Sequence, residues 1–323
     1  TWRTQIQTHS ALEPHGIVAR LESDGSATVW ASTQGTSTIK GIGGQLGVPP
    51  GRVRVLTEHM GGGFGAKFGV QPWDQITAEF AVGLRRPVHG MLDRRQEHLV
   101  GGNRPDSVQK LKLGGTKDGV LKVLQGETLG TSGNGRGGAG CTNTRVYRIP
   151  AIGMRQATVP TFTARGAAFR APGHPQGVFA IEGAIDLFCA KAGLDPLDVR
   201  LLNDPHPIRK IQWGIGANRI GWTDQRRKVP GSDEGRVKRG LGCAAAIWYQ
   251  KGRRGFEVIV RVEKDGTVTV MNGGQDLGTG TRTVLAILVA EELGIDPSRI
   301  HVRLGDTTYP AGPPSGGSTT APS

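Results

Sequence analysis

A chain of 323 residues is about twice the ~150 residues of a typical domain, so two substantial domains, or one built from two halves, are expected. Its 52 glycines, about 16% against a usual ~7%, follow no collagen period and lie between strongly patterned apolar segments, which excludes collagen and simple disorder. Lysine and arginine (40) outnumber aspartate and glutamate (27), giving a net charge of +13 that suits nucleic acid, an anionic cofactor or an acidic partner.

The basic clusters Arg226-Arg227-Lys228 and Lys251 to Arg254 lack the interleaved aromatics of a single-strand binder, so no nucleic-acid partner is expected. Cys141, Cys189 and Cys243 stand tens of residues apart, which argues against a disulfide framework, a zinc site or an iron-sulfur cluster held by this chain alone. No run of 18 apolar residues occurs and Thr1-Trp2-Arg3 opens no signal peptide, so neither a membrane span nor a targeting segment is expected.

In chain order, Gln5 to His15 brings His9, Glu13 and His15 close together in sequence. Their spacing fits neither His-x-x-x-His on a helix nor His-x-His on a strand, so metal ligation is not expected. Ile17 to Glu22 and Ala27 to Ser32 alternate on either side of Ser23-Asp24-Gly25-Ser26, a hairpin. A strand over Arg52 to Leu56, the glycine loop Met60 to Lys67 and a helix over Trp73 to Leu84 follow. Val108 to Leu113 and Val120 to Leu124 form a second hairpin, and Pro175 to Ala192 is a helix stopped by Gly193. Asn203 to Gly240, rich in proline, glycine and charge, reads as a connector. A third hairpin over Phe256 to Glu263 and Thr267 to Met271 then precedes a helix over Thr281 to Leu293.

The chain also repeats itself. Asp24-Gly25, Thr28-Val29 and Gln34 recur 241 positions later as Asp265-Gly266, Thr269-Val270 and Gln275. After a small insertion Leu46-Gly47, Pro50, Arg52 and Val55 match Leu293-Gly294, Pro297, Arg299 and Val302. The expected fold is therefore α+β, with mixed sheets in two pseudo-repeated halves whose glycine-rich loops grip a cofactor, the second half incomplete. The halves are placed at 1–205 and 241–323, joined by a connector at 206–240.

Three loops are suited to such a grip. Gly61-Gly62-Gly63-Phe64-Gly65-Ala66-Lys67 lets backbone approach a ligand closely, yet it is no P-loop, because Phe68 stands where a hydroxyl residue is needed. Asn272 to Thr281 and Pro314 to Thr320 add small donors. Phe169-Arg170-Ala171-Pro172-Gly173 sets an arginine beside rigid turn residues ahead of the long helix.

Taken in order, Gln7-Thr8-His9 with Glu13-Pro14-His15, the 61–67 loop, Phe169 to Gly173 with Gln176, Gly273 to Gly280, Gly305-Asp306-Thr307 and Ser315 to Thr320 resemble the molybdopterin-binding large subunit of the xanthine dehydrogenase and aldehyde oxidase family, in the style of bacterial periplasmic-type aldehyde oxidoreductases. The resemblance implies a molybdenum hydroxylase in which the metal is held by the pterin dithiolene and not by side chains. By motif, Gln7 would approach the molybdenum oxo group, and Gly62, Gly63, Phe64, Gly65, Phe169 and Arg170 would line the metal end. Gly278, Thr279 and Gly280 with Gly317, Ser318, Thr319 and Thr320 would hold the pterin and its phosphates. It further implies the cytosine dinucleotide form of molybdopterin, an iron-sulfur subunit and an FAD subunit as partners, and a bacterial source, with cytoplasm and periplasm both open.

Two departures shape the expected function. The family's general-base glutamate lies in a downstream Gly-x-Gly-Glu segment, so no catalytic residue is assigned here and another chain carrying the rest of the large subunit is a possible partner. Gly138 stands where purine-hydroxylating members carry an arginine, with Arg136 nearby, so an aldehyde oxidised to its acid with water as oxygen source is the expected reaction. The alternatives are a catalytically incomplete cofactor-binding or assembly subunit and a hydroxylase of N-heteroaromatic substrates.

Overall fold

A computed structural model describes residues 1–135, 140–141, 144–226, 232–248 and 255–315. Its strands are β1 (Trp2–Thr4), β2 (Gln7–Thr8), β3 (Gly16–Leu21), β4 (Ala27–Ala31), β5 (Val53–Leu56), β6 (Val88–Met91), β7 (Asn103–Arg104), β8 (Ser107–Gly115), β9 (Leu121–Gly133), β10 (Ala151–Pro160), β11 (Ile259–Val262), β12 (Val268–Asn272) and β13 (Ile300–Leu304). Its α-helices are α1 (Thr36–Ile39), α2 (Gly43–Leu46), α3 (Pro72–Leu84), α4 (Arg94–Val100), α5 (His174–Ala192), α6 (Pro196–Asn203), α7 (Pro207–Ile220), α8 (Trp222–Gln225) and α9 (Thr281–Leu293). This is the mixed α+β architecture expected from alternating hairpins and periodic helices.

The chain forms two compact units, each assembled from several stretches. One comprises Thr1–Ile6, Pro105–Phe162 and Ala171–Trp248; the other comprises Gln7–Arg104, Thr163–Arg170 and the described part of Tyr249–Ser323. The sequence reading lays its halves end to end, whereas tertiary contacts interleave them. The connector also differs, since α7 and α8 fall within 206–240. α7 has no buried residue, and its helically spaced Ile208, Ile211 and Ile215 stand exposed, so the proline, glycine and charge of the surrounding segment hid the helix from the sequence reading.

In the second unit the sequence repeat becomes a structural one. The sheet β5-β4-β3-β6 and the sheet β11-β12-β13 share a motif, an antiparallel hairpin followed by a strand parallel to its second arm. Ala27 faces Val53 in the first and Val268, 241 positions on, faces Ile300 in the second. The turns agree atom by atom. Asp24 and Asp265 each accept a backbone N–H two residues ahead, and Arg52 and Arg299 each donate to the carbonyl of that aspartate. Arg20 pairs with Glu22 as Arg261 pairs with Glu263.

The first copy buries Ile17, Ala19, Val29, Ala31 and Val55 against Ile39, Ile42 and Leu46 on one side of the motif and Ala78 and Ala81 of α3. The second core is smaller, built on Val268, Val270, Ala290 and Ile300. The copies differ at one edge. β3 pairs with β6, while among the described residues β11 is the edge of its sheet, with Ile259, Val260 and Val262 exposed.

The other unit carries the sheet β1-β8-β9-β10, with β9 antiparallel to β8 and parallel to β10. Ile181 and Ile185 of α5 pack on Leu121 and Leu124 of β9, as the helix's apolar spacing predicts. Beneath them Arg200 is fully buried, with its guanidinium 2.6 Å from Glu182 and 2.8 Å from Asp186. Tyr147 Oη also donates to Glu182 (2.6 Å). Removing the cation from such a buried group strands Glu182, so Arg200→Met is expected to cost about 3–5 kcal/mol of stability, read from denaturant unfolding.

Candidate cofactor-binding site

Every described residue that the resemblance marks for cofactor contact lies in the second unit. The loop Gly61 to Lys67 is held from several sides. Gly61 N–H donates to Glu13 Oε2 (2.7 Å) and Gly65 N–H to Gln34 Oε1 (2.7 Å), while Phe64 O accepts from Arg170 N–H (2.7 Å). The chain adopts left-handed φ values at Gly62 (95°), Phe64 (54°) and Gly65 (105°), which leaves the Phe64 side chain exposed. A Cβ on Gly63 would sit 2.6 Å from the Gln34 side chain, and one on Gly65 would sit 2.5 Å from Ala168 O. These two glycines are required first by the protein's own packing, and only through it by any ligand.

The segment from Gln7 to His15 is a brace. His9 Nδ1 and Nε2 face the carbonyls of Gly102 (3.1 Å) and Ala168 (2.9 Å), and His15 bonds Glu97 (2.9 Å) and Ala66 O (3.1 Å). Burial pushes the His9 pKa down while its two carbonyl partners pull it up. Both rings are spent on protein acceptors, and among the described residues no three His, Cys, Asp or Glu side chains gather as a metal site.

Phe169 stacks on His9, with ring centroids 4.2 Å apart, and also meets the Arg104 guanidinium, 4.7 Å from its centroid. Arg104 is 5% exposed, and it donates through Nε to Gln7 Oε1 (2.9 Å) and through Nη2 to Arg170 O (2.8 Å). Gln7, Phe64, Phe169 and Arg170, from distant stretches of sequence, are thus tied to one another. Sequence reasoning missed Arg104 and Gln34, for which only the repeat, marking Gln34 and Gln275, offered a signal.

The second loop uses its donors differently from the expectation. Gly278 and Thr279 N–H both donate to Asp276 Oδ1 (2.9 and 3.0 Å), and Arg282 N–H donates to Asp276 Oδ2 (3.0 Å). An aspartate therefore meets the N–H groups that a phosphate was expected to take at the start of α9. Gly278 and Gly280 keep left-handed φ values of 87° and 80°, and beyond their chain neighbours no atom of the described residues lies within 4 Å of where a Cβ would stand. Nearby, Gln275 Nε2 donates to Gln34 O (2.7 Å) and Ser315 Oγ (2.5 Å), while its buried Oε1 has no partner among the described residues. Open space along a glycine backbone and an orphaned acceptor fit a large polar group. Gly317, Ser318, Thr319 and Thr320, together with Arg136 and Gly138, lie outside the described residues.

One more buried group ties the loop down. Lys67 Nζ donates to Glu13 O (2.5 Å) and Ser32 Oγ (2.7 Å), with the Glu13 carboxylate 3.9 Å away. Burial lowers its pKa to about 8, against smaller opposing pulls from Glu13 and Glu97.

With this geometry in place, the comparisons define the class: the chain belongs to the molybdopterin cofactor-binding domain family, whose profiles match residues 1–204 and 216–323. It is 33% identical to the aldehyde oxidoreductase molybdenum-binding subunit PaoC of Escherichia coli strain K12, over 98% of this chain and 45% of that protein. It is 28% identical to the xanthine dehydrogenase molybdenum-binding subunit of Escherichia coli O157:H7, over 93% of this chain and 43% of that one. The aldehyde oxidoreductase of Desulfovibrio desulfuricans shares the fold, with a TM-score of 0.82 at 23% identity over 98% of this chain and 37% of that chain. The chain spans just under half the length of the curated relatives it matches.

Two measurements test the loop. Gly65→Ala should push Ala168 and with it Phe169 and Arg170 out of place, lowering molybdenum content and the unfolding midpoint together, as read by metal analysis and thermal unfolding. Lys67 sets a pH dependence. Between its folded value of about 8 and its ordinary value of 10.5, the unfolded chain holds the proton and the folded chain has lost it, so stability rises with pH through that window. Below about pH 8 both states are protonated and the burial cost, about 3 kcal/mol, is constant. Urea unfolding of Lys67→Met should lack the rise.

Proposed function

We propose that this chain is the molybdenum-cofactor-binding part of a hydroxylase that oxidises an aldehyde to a carboxylic acid. Water provides the oxygen, and the two electrons leave for iron-sulfur and FAD partners. The observation that carries the reading is the Phe64 O to Arg170 N–H bond, with Gln7 joined to Arg170 through Arg104, which gathers three distant motifs at one end of one loop. In this reading the two cofactor-binding halves, residues 1–205 and 241–323 joined by 206–240, are divisions of the sequence, and the described contact residues of both belong to the second unit.

Molybdopterin, in its cytosine dinucleotide form, supplies the two-electron redox chemistry when bound. The chain's own residues hold and orient it. Gln7 offers its amide at the metal end, which Gly62 to Gly65, Phe169 and Arg170 line, while Gly278 to Gly280 and Gly317 to Thr320 follow the pterin. The left-handed backbone at Gly278 and Gly280 supports the last assignment, because it gives a planar ring system room against the main chain. Asp276 marks its limit, since the phosphates must then be met by Gly317 to Thr320 or by donors outside the described residues.

No carboxylate of this chain is assigned as the general base. Glu13 Oε2 is engaged by Gly61 N–H and Glu13 O by Lys67, so Glu13 serves as a strut of the loop. The base is supplied, on this proposal, by polypeptide beyond these residues. The experiment is a substrate panel on the assembled, molybdenum-loaded protein with an artificial electron acceptor. Aldehydes should exceed xanthine in kcat/KM by at least about tenfold, because Gly138 brings no guanidinium to stabilise charge developing on a purine. Equal turnover of xanthine, or active protein that contains no molybdenum, would overturn the reading.

A further inference from the structure

We propose that Arg104 is a positioning residue that fixes the orientation of the Gln7 amide, so that the amide presents its two N–H donors, and not its oxygen, to the cofactor. The inference rests on the reading that Gln7 approaches the metal end of the cofactor, and it adds which atom of Gln7 does so and what holds it there.

The geometry begins with the backbone. β2 and β7 form a two-stranded antiparallel ribbon in which Gln7 and Arg104 are direct partners, so their side chains start from facing positions. Arg104 Nε then donates to Gln7 Oε1 (2.9 Å). An amide offers one acceptor and one donor end, and a guanidinium has donors alone, so the atom turned to Arg104 must be the oxygen. The Gln7 NH2 group is thereby turned away. Gln7 is exposed, and among the described residues no acceptor takes its N–H groups.

The guanidinium is itself held on several sides. Its Nη2 donates to Arg170 O (2.8 Å), its face lies 4.7 Å from the Phe169 centroid, and Phe169 is stacked on a His9 ring whose two nitrogens face backbone carbonyls. Burial to 5% exposure adds to this. A planar fork is needed to serve Gln7 and Arg170 at once while lying against Phe169. A lysine, a point donor on a flexible stem, cannot do all three. Gln7 by contrast has an exposed side chain with several rotatable bonds, and without Arg104 its amide is free to turn either end outward.

The chemistry of the donor end gives the arrangement its use. An oxo ligand is an acceptor, so a fixed N–H donor strengthens contact with it and an amide oxygen would repel it. Preorganised by Arg104, the donor costs no reorientation during the reaction.

The test uses the assembled, molybdenum-loaded protein, with each signal normalised to bound molybdenum. The molybdenum–oxo stretching frequency reports the donor, and kcat and KM are measured alongside. Gln7→Leu, Gln7→Glu, Arg104→Met and Arg104→Lys should each raise the frequency. Each should also lower kcat by about tenfold while KM stays within about twofold, the pattern of a lost contact made in the reaction and not in binding. Gln7→Glu keeps an acceptor for Arg104 and removes both donors, so it carries the test even if the Arg104 variants fold poorly. An unchanged frequency in Gln7→Leu would overturn the placement of Gln7 itself. A shift in Gln7→Leu with a parent-like frequency in Gln7→Glu, or in both Arg104 variants, would leave that placement standing and overturn the role given to Arg104.

Discussion

The arrangement depends on one buried amide. Gln34, 3% exposed, accepts the Gly65 N–H on its side-chain oxygen, donates through Nε2 to Ser315 O (2.7 Å), and exchanges backbone bonds with Lys67 and Ser315. Its repeat partner Gln275 donates back to the Gln34 carbonyl. A single residue, through its side chain and its carbonyl, thus joins the first glycine loop, the start of the third and the second repeat. Each bond is worth about 1 kcal/mol net, but leaving a buried amide unpaired costs about 1–3 kcal/mol, so the set specifies one geometry more than it adds stability.

Around that amide the two copies are stitched by polar contacts more than by apolar ones. Arg54 pairs with Asp306, Val55 N–H donates to Thr307 Oγ1, Thr36 Oγ1 donates to Gly273 O, and Thr57 N–H donates to Gly305 O. Gly305 must be glycine, because a Cβ there would lie 2.1 Å from Thr57 O and its φ is 81°. The Gly305-Asp306-Thr307 motif therefore acts as a joint between repeats, a role with a physical cause independent of any ligand.

The same economy explains the histidines and the high glycine content. His9 and His15 are packed with their ring nitrogens against loop carbonyls and the Glu97 carboxylate, and so serve as braces between loops. Where loops approach to within a Cβ's width of other backbone, as at Gly63 and Gly65, side chains are excluded. At Gly278 and Gly280, by contrast, no described atom stands near the Cβ position, and it is the left-handed φ that calls for glycine. Both uses call for glycine. They are indistinguishable in sequence.

Local chemistry made much of this legible from the amino-acid order alone. Alternation and Asp-Gly turns placed the hairpins, three-and-four spacing placed α3, α5 and α9 to within a residue, and the offset of 241 positions announced a repeat that the strand registers reproduce. Each of these signals is written in neighbouring residues, and motif order pointed to the family. What the sequence could not hold was the partner of each polar group. Arg104 faces Gln7 across 97 positions and Gln275 reaches Gln34 across 241, pairings that exist only once the strands have chosen their register. The helices α7 and α8 escaped for other reasons: Ile208, Ile211 and Ile215 of α7 keep helical spacing but stand exposed in a stretch dominated by charge, and α8, with Trp222 buried, is too short to show a period. Asp276 was likewise invisible as the acceptor for its own loop. Whether an N–H meets a ligand or a neighbouring carboxylate depends on an angle that only the folded turn decides.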